Sequence, residues 1–198
     1  LIFGVDMPRP SNKEKRREQV LAAYLSAASR YGVSGATLDV IAKEASMTRP
    51  LVRHHLGNKD DMFDLLVTHV VAELEKQTQS IADALPSSRR LEVLIDYLFG
   101  QPEDPGPQLI FVFADLTMKS VSNSVLATRL AATITQFETL LRKEIYAEFS
   151  NVPDVTANAV AHGIMAIYFN SISLEPLMQA TENARNAVNI LIGSLRKE

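Results

Sequence analysis

Apolar residues recur at three- and four-residue intervals along nearly the whole chain, and no stretch alternates apolar with polar residues between turn signals. At ~100° per residue that spacing gathers them on one face of a helix, which points away from any sheet protein. Lys13–Tyr31 carries Val20, Leu21, Tyr24, Leu25 and Ala28 on such a face, and Gly32 stands where a helix would end. Thr37 is placed to cap a short helix, Leu38–Ala45, with Asp39 in its first turn. Thr48 is placed to cap another, Arg49–Leu56, where Pro50 is tolerated because first-turn amides have no intrahelical partner. Asn58 opens a long helix whose stripe runs through Met62, Leu65/Leu66, His69/Val70 and Leu74. Further helices are expected over Arg89–Phe99, Pro107–Val121, Val125–Phe149, Val155–Leu174 and Thr181–Arg196, with Pro, Gly, Ser and Asn marking the breaks. The expectation is an all-α chain of about nine helices, three short ones first.

Composition narrows the function classes. The 198 residues are 46% hydrophobic and 22% charged, ordinary for a folded protein. With no cysteine there is no disulfide, thiol nucleophile or thiolate-held zinc. The formal net charge of −3 conceals a split: residues 1–60 hold ten Lys/Arg against six acids, and residues 61–198 hold ten against seventeen. The first part is therefore +4 and the second −7, which suggests one module that meets an anion and another with a different task. Val155–Leu174 is twenty residues free of Asp, Glu, Lys and Arg, but Thr156, Asn158, His162, Asn170, Ser171 and Ser173 surround it. It reads as a buried protein helix rather than a membrane span. With no span or leader recognised, a cytoplasmic protein is expected. Leu1–Asp6 read as an extension ahead of Met7.

The segment from Thr37 to Lys59 carries the chemistry. Two short helices joined by the tight Ala45–Thr48 turn, after a longer helix, read as a helix-turn-helix unit. On the second short helix Arg49, Pro50, Arg53 and His54 share one arc, and Leu51, Val52, His55 and Leu56 the opposite one. One face packs; the other presents two arginines a turn apart. DNA readers of this kind lay such a helix in the major groove with its N-terminal residues toward base edges. Arg49 suits a bidentate contact to guanine, and Pro50 a thymine methyl. Arg53, His54 and Lys59 suit phosphates, as do Thr37 and the amides that start its helix, while Thr48 suits either a cap or a phosphate. The Arg9–Arg17 cluster is either a solvated face or a basic arm.

The run Thr37-Leu-Asp-Val-Ile-Ala-Lys-Glu-Ala-Ser-Met-Thr-Arg-Pro-Leu-Val-Arg-His-His-Leu-Gly-Asn-Lys-Asp60 resembles the signature of the tetracycline-repressor (TetR) family, over about 45 residues in all. Three positions depart from the family pattern: Ser46 stands for Gly, Arg53 for Tyr and Leu56 for Phe. The resemblance implies a bacterial one-component regulator with an N-terminal helix-turn-helix domain and a C-terminal helical domain for ligand binding and dimerisation. On this chain the division is a flexible extension over 1–12, the DNA-binding domain over 13–58, and the second domain over 59–198.

In the second domain, Val155–Leu174 and Thr181–Arg196 are expected to form an antiparallel hairpin. The small residues Ala157, Ala161, Ala159 and Gly163, with the seam Ala184, Val188, Leu191 and Leu195, then read as a dimer interface. Phe111, Phe113, Met118, Phe137, Met165, Tyr168 and Phe169 are candidate walls of a pocket for a small apolar effector, neutral or cationic. The acidic loop Gln101–Gln108 either gates that pocket or simply connects.

An enzyme is not expected. His54 and His55 diverge by ~100° and do not share a metal, His55 lies on the packing arc, and no catalytic motif is present. His162 either polarises a ligand or is a structural histidine, the second being favoured. No metal or cofactor is expected. The reading is a ligand-responsive repressor that binds a palindromic DNA operator as a homodimer. Its rival is a small-molecule-binding helical protein that does not read DNA specifically.

Overall fold

The computed structural model describes residues 12–100, 106–177 and 181–196, without the side chains of Lys13 and Thr181. Residues 1–11 of the expected extension, Arg9 of the basic cluster among them, and the Gln101–Pro105 part of the proposed gate lie outside the described residues, whereas Asn12 opens the first helix. Among the described residues there are nine helices and no strand: α1 Asn12–Gly35, α2 Leu38–Glu44, α3 Arg49–Leu56, α4 Lys59–Ala84, α5 Arg90–Leu98, α6 Gly106–Ser120, α7 Ser124–Glu148, α8 Asp154–Ser173 and α9 Thr181–Ser194. None is long and apolar enough to cross a membrane.

The chain forms two compact units, residues 1–67 and 68–198, so the division falls inside α4 rather than at its start. In the first unit α1 packs against both α2 and α3. Its helix breaks at Gly32, whose φ of 72° is left-handed, where the sequence places a stop. Val20, Tyr24, Ala27 and Ala28 of α1 are buried, as are Ile41 and Ala42 of α2 and Val52 and Leu56 of α3. Polar ties supplement this core: Gln19 Nε2 donates to the Ala45 carbonyl at 2.9 Å, and Arg30 pairs with Glu44. Asn58 opens α4 with a reciprocal cap. Its Oδ1 accepts from the amides of Asp60 and Asp61 at 2.8 and 3.0 Å, while Asp61 Oδ2 accepts from the Asn58 amide at 2.9 Å. Gly57 precedes that cap with φ 80°; a Cβ there would sit 2.5 Å from Asp61 Oδ2, so a larger residue would strain the backbone and displace the capping carboxylate.

In the second unit α7 and α8 pack together, with α5 and α6 against α7, α6 also against α8, and α9 against α8. Leu94, Leu141, Ile145, Ala157, Ile164 and Val188 anchor one core, each fully or almost fully buried. This packing corrects the expected dimer seam. Ala157, Ala161, Val188 and Leu195 are buried inside the single chain, and Ala184 and Leu191 pack against the same core. Gly163 lets α9 approach so closely that a Cβ there would lie 3.0 Å from Leu191 Cδ1. Gly163 and the apolar seam therefore join α8 to α9 of one chain, while Ala159 stays exposed on α8.

One charged pair sits within this core. Glu144 on α7 is almost fully buried, yet it accepts from Arg90 Nε at 2.7 Å and Nη2 at 2.8 Å. The rest of that guanidinium donates to the carbonyls of Leu85 (3.1 Å), Pro86 (3.2 Å) and Ala82 (3.4 Å), the last turn of α4 and its exit. A residue of α5 thus caps α4 and ties it to α7.

Candidate functional site

The basic face belongs to the first unit and is built around α3. Val52 and Leu56 are buried and Leu51 and His55 half-buried, which seats one side of the helix and fixes its rotation. The same rotation leaves Arg49, Pro50, Arg53 and His54 exposed together. Thr37, Thr48 and Lys59 are exposed as well, so all seven residues expected to meet DNA lie on the surface of this unit.

Their local bonding separates them. Thr37 caps α2, its hydroxyl accepting from the Val40 amide at 3.4 Å. Thr48 precedes α3 in extended backbone but makes no side-chain cap, contrary to one of its two expected roles. Arg49 Nη1 lies 3.4 Å from Asp39 Oδ2, an exposed pair linking the first turns of α3 and α2. The turn that sets α2 against α3 is closed by Met47 N–H to the Ala42 carbonyl at 2.9 Å, with Ser46 at φ 53°. Leu56 fills its core position with 1% exposure.

The second site is a small apolar cavity of about 80 Å³ in the second unit. Leu74, Gln77, Thr78 and Ile81 of α4 form one wall, with Leu98 of α5 and Ile110 and Phe113 of α6 beside it. Thr133, Ile134 and Phe137 of α7 and Met165, Tyr168 and Phe169 of α8 complete it. Five of the seven expected wall residues are thus brought together. Phe111 instead lines a separate hollow of about 670 Å³ with Glu175, Glu182 and Arg185, because it faces away from Phe113 on α6. Met118 is 73% exposed and lines neither.

The rings pack edge to face: Phe113 with Phe169 at 6.0 Å and 74°, and Tyr168 with Phe99 at 6.0 Å and 81°. Burial pushes the Tyr168 phenol up to about 12. The α4 wall was not expected from sequence. Its signal was the spacing Leu74, Thr78, Ile81, which continues the helical stripe past the point where polar residues begin to interrupt it. His162 lies outside the cavity, exposed, with Nδ1 2.7 Å from Glu138 Oε1.

No family profile matches the chain. The HTH-type transcriptional regulator BetI of Paraburkholderia phytofirmans is 32% identical over 104 residues, 51% of this chain and 53% of the relative. At that identity the chain spans about half the length of the curated relative it matches. Among solved structures, a TetR transcription regulator from Haloarcula marismortui superposes with a TM-score of 0.72 at 17% identity, over 91% of this chain and 97% of that one. The multidrug binding protein EbrR, complexed with malachite green, superposes with a TM-score of 0.61 at 16% identity, over 89% and 98%. The fold is that of the TetR-type regulators.

Proposed function

We propose that this chain is a TetR-type transcriptional regulator: a dimer that reads a palindromic DNA operator through α3 and is released by a small molecule held among α4 to α8. The observation that carries this reading is the two-faced α3. Its buried side, Val52 and Leu56, fixes the presentation of Arg49, Pro50 and Arg53 on an exposed, cationic side. Such a face suits the major groove, with Arg49 toward a guanine and Arg53, His54 and Lys59 toward phosphates. Arg53 offers a cation where the family pattern has a tyrosine hydroxyl. The Thr48 hydroxyl, free of a capping bond, is available to a phosphate.

The similarity to transcriptional regulators supports regulation, and the malachite green complex of EbrR supports a ligand in a fold of this kind. The cavity wall supplied by α4 supports coupling, since α4 begins in the first unit and runs on into the second. A ligand that favours one arrangement of that helix shifts the population between states that do and do not fit successive grooves. The exposed faces of α8 and α9, with Val155 76% and Ile190 74% exposed, offer the apolar surface for a second copy.

The test is a gel shift on the promoter region beside the protein's own gene, across a range of salt. Arg49→Ala is expected to lose about 1–3 kcal/mol of discrimination between specific and random duplex. Lys59→Ala is expected to weaken both duplexes alike. Equal loss on both for Arg49→Ala removes the base contact. No salt-sensitive specific binding in any ligand state leaves a helical small-molecule binder.

A further inference from the structure

The cavity among α4 to α8 has an unusual polar inventory. No Asp, Glu, Lys, Arg or His lines it. Of its four polar side chains, two are already committed: Thr78 Oγ1 donates to the Leu74 carbonyl at 2.9 Å and Thr133 Oγ1 to the Arg129 carbonyl at 3.4 Å. The other two, Gln77 on α4 and Tyr168 on α8, make no side-chain hydrogen bond to another described residue. Polar side chains that line an apolar cavity without protein partners are ones a ligand's own polar group can satisfy.

We propose, building on the effector reading above, that the cavity selects an uncharged, largely apolar molecule whose single hydrogen-bonding group is held by Gln77 and Tyr168. An anion there would find no cation among the lining residues, and a cation no carboxylate, so either would give up part of its hydration without compensation. Aromatic walls can attract a cation through their faces. Here, however, Phe113 pairs edge to face with Phe169, and Tyr168 with Phe99, so the rings are engaged with one another instead of standing as a cage. The phenol stays protonated at neutral pH, so Tyr168 remains a neutral donor. Gln77 supplies both a donor and an acceptor, which lets the pair serve a hydroxyl or a carbonyl. The cavity, about 80 Å³, is smaller than a bicyclic aromatic, and a ligand of that size has to displace a wall. Gln77 places the recognition group on the wall formed by α4.

The experiment titrates 2-naphthol, 2-naphthoate and 2-naphthylmethylammonium into the full chain by calorimetry, with operator gel shifts of the same preparations run in parallel. The expected result is one 2-naphthol per chain, with both charged analogues weaker by more than about 30-fold. Tyr168→Phe and Gln77→Leu are each expected to weaken 2-naphthol by about 3- to 10-fold with unchanged circular dichroism. The double variant is expected to bind naphthalene no worse than the wild type does. A charged analogue that binds as tightly as 2-naphthol, no binding of 2-naphthol, or two variants of unchanged affinity overturns the proposal. The gel shift separates the two claims. Specific DNA binding without the naphthol pattern leaves the regulator reading standing and the ligand class wrong. The naphthol pattern without DNA binding does the reverse.

Discussion

Ser46 occupies the left-handed region at φ 53° in the turn between α2 and α3, where the TetR pattern has glycine. The conformation the turn requires has survived the change of residue, and its Cβ strain falls on this one position. Ser46→Gly is expected to raise stability by about 0.5–1 kcal/mol, the relief of strain exceeding the entropy glycine adds to the unfolded chain. Urea unfolding would measure it, and a lowered midpoint would contradict the account. This residue was legible in the sequence as a departure, but the strain needed the backbone. Arg49 shows the opposite case. Its exposure followed from helical spacing, whereas its 3.4 Å contact with Asp39 depends on how α2 and α3 cross. Gln77 carries no signal in the sequence, because a polar residue among polar neighbours on a helix reads as a solvated one.

Among the elements, α3 was the most legible: Thr48 and Gly57 punctuate it, and it runs from Arg49 to Leu56 as expected. The hairpin of α8 and α9 was legible as a pair, but its seam was assigned to the wrong partner. Small residues report that some helix approaches closely, and spacing alone does not say whose helix. The Arg90–Glu144 pair was invisible because its members stand 54 positions apart. Its only trace was an acid following Leu140 and Leu141 on an otherwise apolar stripe. Glu144→Ala leaves the Arg90 guanidinium, whose side chain is 27% exposed, without its carboxylate and is expected to lower stability by about 2–4 kcal/mol. Glu144→Gln, which keeps an acceptor, is expected to lose about half as much. A loss below about 0.5 kcal/mol for Glu144→Ala, within the range of exposed pairs, would show that the pair does not hold α4 to α7.

For the whole molecule, the all-helical class and the two-part division of charge are both legible in the sequence, since periodicity and charge are properties of local sequence. The boundary was less so: α4 carries the chain across it without a break, so no turn residue marks residue 67. The proposed dimer is tested here. Ile190, 74% exposed on α9, tolerates a charge in the isolated chain, so Ile190→Glu is expected to fold normally while weakening self-association by more than about 100-fold in sedimentation. Val188→Glu, at 0% exposure, is expected to unfold the chain instead. Unchanged association of Ile190→Glu would move the interface elsewhere.

The seating of α3 also bears on time, which affinity alone does not describe. Val52 and Leu56 hold this helix in place before any partner arrives, and Thr48 has no capping bond to surrender. If the proposed regulator reads DNA through α3, an encounter with a duplex includes no folding step of that helix. In that proposal the rate is governed by diffusion and by the attraction between the phosphates and a segment of net charge +4 over the first sixty residues, so added salt should slow it.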